Sequence, residues 1–152
     1  MDASSGPMAV VMALLNVDRT IEDGLEKRLR AVAGLSLPQY VVLLRLSEAP
    51  EGRLRMVDIS DRLCVSKSGV TQLVDRLEAA GLVERQSHRS DRRLTYGKIT
   101  KAGREALRLS TPELELAVRE HFARHLTEDD LRCLHRALVK VQEGNSVLAD
   151  LA

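Results

Sequence analysis

The fold is decided by residues 66–99, which read SKSGVTQLVDRLEAAGLVERQSHRSDRRLTYGKI. The first half predicts a helix that begins after the N-cap Ser66, reaches Ala80 and ends at Gly81, a residue that tolerates a left-handed turn. Its apolar residues follow the i, i+3, i+4, i+7 spacing of one helix face: Val70, Leu73, Val74 and Leu77. We expect this face to pack on a core while the opposite face meets solvent.

The second half of the same stretch predicts a β-hairpin. Leu82–Gln86 and Leu94–Ile99 have the pattern of two strands, and Ser87–Arg93 form a basic loop between them. A brief helix over about 57–63 precedes the turn at residues 65–66, and residues 53–56 alternate as one short strand would. The order helix, tight turn, helix, hairpin is that of a winged helix-turn-helix.

Helical patterns also precede this module. A helix over about Met8–Val32 ends at Gly34, and a second helix begins at the N-cap Ser36, with Pro38 in its first turn. We expect the second helix to belong to the winged module and the first to lie outside it.

Two further helices follow the hairpin. Thr100 caps a helix that is reset or kinked at Thr111-Pro112 and continues to about Leu126. Residues 127–130 then have the form of a capping box and start the last helix. The predicted fold is therefore mainly α with a small β-hairpin wing, a winged helix-turn-helix with additional N- and C-terminal helices.

The composition agrees with helix-on-helix packing. Of the 152 residues, 44% are hydrophobic but only 2% are aromatic, so leucine and valine must fill the core. No apolar stretch is long enough to span a bilayer, and the N-terminus lacks the basic region of a secretory signal. Cys64 and Cys133 form no Cys-x-x-Cys pair. We expect a reduced, cytoplasmic protein.

Positive charge is concentrated in one segment. The whole chain carries a net charge of +1, but residues 84–104 contain seven Lys/Arg against two acids, whereas residues 105–152 contain six Lys/Arg against nine acids. A basic segment inside a nearly neutral chain is typical of a local contact with a polyanion, although a solvated charged face would give the same pattern.

The solvent face of the predicted helix carries groups that suit DNA. Short polar side chains lie near its N-terminus and longer donors behind them: Ser66, Lys67, Ser68, Thr71, Gln72, Asp75 and Arg76. The hairpin loop adds Arg89, Arg92 and Arg93, and arginine suits a narrow, negative minor groove. Asp91 lies between them and is expected to orient one guanidinium.

These passages resemble the MarR family of transcriptional regulators. Residues 73–85 (LVDRLEAAGLVER) resemble that family's passage from recognition helix to wing. Asp91-Arg92-Arg93 followed by Ile99-Thr100-Lys101-Ala102-Gly103 resembles its wing signature and the helix start after it, with Ile99 in place of the usual leucine. Six helices and a hairpin in this order also match the family fold.

The resemblance implies a homodimer held by the first, fifth and sixth helices. Residues 8–35 and 104–150 would then be dimerisation helices around the winged module at 36–103, all in a single domain spanning 1–152. The resemblance also implies a recognition helix in the major groove, Arg93 in the minor groove, a pseudopalindromic operator, and repression relieved by a small ligand. Two-fold symmetry predicts half-sites about 10 bp apart. The Leu- and Val-rich terminal segments independently favour burial against a partner chain.

Small aromatic acids or phenols are the ligand class that the resemblance implies. They would bind between the dimer helices and the DNA-reading module. Tyr40 and Phe122 are the aromatic residues we expect to line such a pocket. No cofactor is expected, and no nucleophile–base arrangement or Gly-rich phosphate loop indicates an enzyme.

Two sensor alternatives and one interaction alternative remain open at this point. His121 and His125 have the i, i+4 spacing of a helical zinc pair, but the second helix offers no third ligand, so two surface histidines are the simpler interpretation. Cys64 precedes the recognition helix and would be either a small buried filler or a thiol switch. Cys133 is expected to be structural or to lie in a dimer interface. The third alternative is a winged helix that binds protein rather than DNA.

Overall fold

The computed structural model describes residues 6–63, 67–87 and 95–149. Within these ranges the chain forms six α-helices and three short strands. In chain order they are α1 (Pro7–Ala33), α2 (Leu37–Glu48), β1 (Arg53–Arg55), α3 (Met56–Leu63), α4 (Lys67–Ala79), β2 (Val83–Ser87), β3 (Thr95–Ile99), α5 (Lys101–His121) and α6 (Glu128–Ala149). The predicted mainly helical fold with a β-hairpin is confirmed.

The junction between α1 and α2 follows the local signals. Gly34 takes the left-handed conformation (φ 66°) that ends α1, and its N–H donates to the Arg30 carbonyl at 3.1 Å. Ser36 and Gln39 then form a reciprocal capping box that starts α2. The two helices meet at a bend of 71°. Among the described helices, none is by itself long and apolar enough to cross a bilayer, and only α1 and α2 taken together across this bend pass that test.

The three strands form one antiparallel sheet in the order β1-β3-β2. The single short strand expected before α3 is confirmed as β1, which pairs with β3. The strand β2 begins and ends one residue later than predicted, whereas β3 begins one residue later at Thr95 and ends at Ile99 as predicted. Gly97 leaves the centre of the sheet open for Ile59 of α3, whose Cδ1 would lie 3.3 Å from an added Cβ.

The core lies where α2, α4 and the sheet meet. Three of the four predicted apolar positions of α4 are fully buried, and Leu73 packs partly against the same cluster. The largest buried side chains are Leu29, Leu43, Leu46, Ile59, Leu77, Val42, Val70, Val74 and Val83. Each such side chain contributes roughly 1.5–3 kcal/mol by leaving water. The back of α4 is thus fixed to the rest of the molecule.

Two expectations about α5 were wrong. The reset expected at Thr111-Pro112 is absent, because α5 runs through Pro112 as one helix, while a kink at this position stays a prediction. Packing along α1, the most extensive contact between two described elements, favours a continuous α5 even though proline cannot donate a backbone hydrogen bond. The helix also ends at His121 rather than near Leu126, because Phe122 leaves helical geometry and residues 123–125 form a 3-10 turn.

The last helix begins as predicted. The Thr127 N–H donates to Asp130 at 2.9 Å and the Asp130 N–H donates to the Thr127 hydroxyl at 3.2 Å, which completes the capping box. Beyond this start, α6 makes no extensive contact with any other described element. It therefore extends from the body of the chain.

Candidate nucleic-acid interface

The two sides of α4 differ sharply. Val70, Val74 and Leu77 are 0–1% exposed on its back. Its front carries exposed polar side chains, namely Ser68, Thr71, Gln72, Asp75 and Arg76. Thirteen residues make a rod of about 20 Å, longer than the roughly 12 Å width of a major groove. This geometry can present side chains to base edges.

Two of the front residues have side-chain donors that no described residue uses. Among the described residues, the side chains of Gln72 and Arg76 make no hydrogen bond or ion pair. An amide pairs well with adenine, and a guanidinium pairs well with guanine or a phosphate. Both side chains are therefore available for an external partner.

Not all of the predicted contact residues fall within the described parts of the chain. Lys67 is the first residue of α4, but its side chain is outside them. Ser66 and the loop residues Arg89, Asp91, Arg92 and Arg93 are also outside them. The structure does describe the strands that flank the loop, which pair continuously from Val83 with Ile99 to Ser87 with Thr95.

Arg85 connects the hairpin to the front of α4. It lies on β2, yet its guanidinium reaches across to Asp75 at 2.5 Å and to Glu78 at 2.8 Å. Sequence reasoning included Arg85 in the family pattern but assigned it no role. The available signal was its alternation with the buried Val83, which places both side chains on the sheet face that meets α4.

The turn between α4 and β2 is fixed by the start of α5. Gly81 ends α4 with φ 71°, as predicted. The Thr100 hydroxyl donates to the Gly81 carbonyl at 2.8 Å, and the Thr100 N–H donates to the Leu82 carbonyl at 3.0 Å. A Cβ on Gly103 would overlap that Leu82 carbonyl oxygen. The Thr-x-x-Gly motif therefore positions the turn between α4 and the hairpin.

Other bases near the sheet already have acidic neighbours. Arg55 pairs with Asp58 through two nitrogens at 2.8 Å, and Lys98 lies 3.6 Å from Glu84. The Asp58 partner raises the pKa of Arg55, and the guanidinium stays charged at every physiological pH. These pairs offset the positive charges of Arg55 and Lys98 beside the sheet.

Comparisons with known proteins agree with this geometry. The model of the MarR family matches residues 33–94. The chain is similar to Sco3205 from Streptomyces coelicolor, a MarR family transcriptional regulator solved in complex with DNA. The TM-score is 0.86 at 30% identity, over 95% of this chain and 92% of that chain. AbsC, a MarR family regulator from the same organism, gives a TM-score of 0.86 at 32% identity, over 96% and 97% of the two chains. This chain belongs to the MarR family.

Curated sequence relatives of this MarR-family chain match it over a smaller share of their length than the two solved structures do. The transcriptional repressor YetL from Bacillus subtilis is 27% identical over 108 residues, which are 71% of this chain and 64% of that protein. The first two curated relatives are covered over 45% and 64% of their own lengths. The relatives named here are transcriptional regulators by their names.

The two aromatic residues expected to bind a ligand differ in their surroundings. Tyr40 is 4% exposed in the core, and its hydroxyl lies 3.0 Å from the Thr111 hydroxyl. Phe122 is half-buried where α5 ends. Neither lines the cavity of about 580 Å³ that lies beside α1, whose lining is Thr20, Asp23, Gly24, Lys27, Arg28, Ala31 and His121. A ligand role for either aromatic residue remains a prediction.

The expectation that His121 and His125 lie on one helix was wrong. His121 is the last residue of α5, whereas His125 is in the following 3-10 turn and accepts a hydrogen bond from Arg124 at 3.2 Å. Among the described residues, no three His, Cys, Asp or Glu side chains form a group that could hold a metal. Cys64 lies outside the described residues, and Cys133 is exposed on α6.

Proposed function

We propose that this chain is a sequence-specific transcriptional regulator that binds double-stranded operator DNA and acts as a repressor. The observation that carries the proposal is the exposed front of α4, where the side chains of Gln72 and Arg76 pair with no residue of the described part of the chain. The similarity to a relative solved with DNA supports it further. No step in this proposal requires a cofactor or catalysis.

The proposed contacts divide between two grooves. The front of α4 would enter the major groove through Ser66, Lys67, Ser68, Thr71, Gln72 and Arg76. The hairpin loop would place Arg93 in the adjacent minor groove, with Arg89 and Arg92 near phosphates and Asp91 as the orienting carboxylate. Amides at the start of α4 would also favour a phosphate there.

The acting species would be a homodimer. The first half of α1 exposes a run of apolar side chains that the chain itself leaves uncovered: Met8, Val10, Val11, Met12, Leu14, Leu15 and Val17. Val141 on α6 is 60% exposed, and Leu109 and Leu116 on α5 are also exposed. Such a large apolar surface favours burial against a second copy. Residues 8–35 and 104–150 would then dimerise, while residues 36–103 read DNA.

A small aromatic acid or phenol is the proposed effector, with Tyr40 and Phe122 as its candidate contacts. Cytoplasmic location belongs to the same proposal, because the protein would have to reach its operator DNA there. Both parts come from family membership and depend on the DNA-binding role.

Selection of duplexes from a random pool, with the full chain as bait, tests the proposal. We expect an enriched pseudopalindrome whose half-sites are about 10 bp apart. Affinity for that selected operator should fall steeply with salt, because each phosphate contact releases counterions. A pool without enrichment, or weak binding that salt does not change, would instead favour a protein-interaction module.

A further inference from the structure

The guanidinium of Arg85 holds the hairpin against the front of α4. We infer that Arg85 is a positioning residue for DNA reading, because it fixes the hairpin relative to α4 and occupies two carboxylates that would otherwise face DNA. The inference rests on the proposed DNA-binding function and adds a role for a residue that is not itself among the proposed DNA contacts.

The contacts of Arg85 run along one stripe of α4. Its Nη1 donates to Asp75 Oδ1 at 2.5 Å and to Glu78 Oε2 at 2.8 Å. Its Nη2 donates to the Thr71 carbonyl at 3.3 Å, and its backbone N–H donates to Glu78 Oε1 at 3.2 Å. The three helix residues have i, i+4, i+7 spacing, so the anchor points span roughly 10 Å of helix axis.

An attachment of that length restrains both rotation and sliding. A single ion pair would let the helix pivot, but contacts on successive turns hold the helix axis relative to β2. Arg85 is two residues before the end of β2, where the hairpin loop begins. The position of β2 relative to α4 is therefore restrained by this side chain.

Arg85 also changes the charge that α4 presents. Asp75 is 53% and Glu78 is 41% exposed at the side chain, while that of Arg85 is only 26% exposed. Two unpaired carboxylates beside the reading front would repel phosphates. The guanidinium reduces the local charge of this stripe from −2 to −1, so α4 can approach a polyanion more closely.

A guanidinium suits this role better than an ammonium. Its planar fork reaches several acceptors at fixed angles, whereas a lysine is a point charge on a flexible stem. Exposed ion pairs contribute little to folding stability. Loss of Arg85 should thus affect DNA reading far more than thermal unfolding.

The test compares wild type, R85Q, R85K, D75A and the R85Q/D75A double variant. Binding is measured with the selected operator and with a scrambled duplex over a salt series, and unfolding is followed by circular dichroism. R108Q is the matched control, because it removes the same charge from an exposed ion pair with Glu105 on α5.

We expect R85Q to bind the operator at least tenfold more weakly while its affinity for the scrambled duplex stays within threefold. R85K should be intermediate, and R108Q should match wild type. The double variant should be no weaker than R85Q, because both changes remove one interaction. The melting temperatures of all the variants should remain close to that of wild type.

Three outcomes would overturn the assignment. Operator affinity of R85Q within twofold of wild type removes the positioning role. Equal losses on both duplexes, with a salt slope reduced by about 1, make Arg85 a phosphate contact instead. Additive effects of R85Q and D75A contradict a shared interaction. If wild type itself selects no duplex, the proposed function fails and this inference fails with it, a result distinct from the other three.

Discussion

The absence of a side chain at Gly103 sets how closely α5 approaches the α4–β2 turn. The Gly103 N–H donates to the Thr100 hydroxyl at 3.0 Å while the Leu82 carbonyl occupies the space that a Cβ would need. Any larger residue must push the helix start away from the turn. The effect would reach the reading front, because this turn directly follows α4.

Gly103→Ala should destabilise the fold by about 1–3 kcal/mol, because the backbone must shift to relieve the overlap. Thermal unfolding at a fixed chain concentration measures the change. Gly144→Ala is the matched control, since a Cβ at Gly144 in α6 meets nothing within 4 Å. That change should leave stability unchanged or raise it by roughly 0.5–1 kcal/mol. Equal melting temperatures for the two variants would contradict the proposed role of Gly103.

The sequence alone predicts the structural role of a residue when its hydrogen-bond partners are close in the chain. The caps at Ser36 and Thr100 and the stops at Gly34 and Gly81 follow from local hydrogen bonds, and all four are confirmed. Arg85 could not be assigned in this way. Its partners are seven to fourteen residues away and meet it only after α4 and β2 pack together.

At the scale of secondary structure elements, the same limit explains the errors in α5. Proline usually interrupts a helix because it lacks a backbone N–H, and the sequence alone therefore indicates a break at Pro112. The long contact of α5 with α1 favours the continuous helix that the structure has. The end of α5 at His121 has no strong local signal in the sequence. The hairpin was predictable because its alternation is local, whereas the order β1-β3-β2 depends on pairing between distant strands.

The start of α6 gives a pH prediction. Hydrogen bonds from the hydroxyl and the N–H of Thr127 lower the pKa of Asp130 below its usual value. The carboxylate form is therefore the one that the fold favours. Its contribution is present above the ordinary carboxyl pKa and is lost as pH falls through the lowered value.

Asp130→Ala should lower the melting temperature by a few degrees at pH 7, and the difference from wild type should shrink below about pH 4. Circular dichroism melts across a pH series provide the measurement. Asp129→Ala is the control, because it removes a charge from the same turn without removing a cap bond. A difference that stays constant down to pH 2 would show that the cap does not depend on the carboxylate.

At the scale of the whole molecule, the uncovered apolar surface on α1, α5 and α6 predicts a dimer. Sedimentation should give the mass of two 16.9 kDa chains at micromolar concentration. Val141→Glu should raise the dimer dissociation constant at least tenfold, because it would bury an unpaired charge in the interface. Val57→Glu, on the exposed side of α3, is the control and should leave the mass unchanged. A wild-type chain that sediments as a single copy would contradict the proposed assembly.

The reading of base edges by the front of α4 is tested most directly with Gln72→Ala. This change removes a donor and an acceptor but no charge, so phosphate attraction is unaffected. The measurement is the ratio of affinities for the selected operator and for a scrambled duplex, with Gln142→Ala on α6 as the control. We predict that the ratio falls about tenfold for Gln72→Ala, in line with the roughly 1–3 kcal/mol of one good base contact, and is unchanged for Gln142→Ala. An unchanged ratio for Gln72→Ala would contradict a reading role for this side chain.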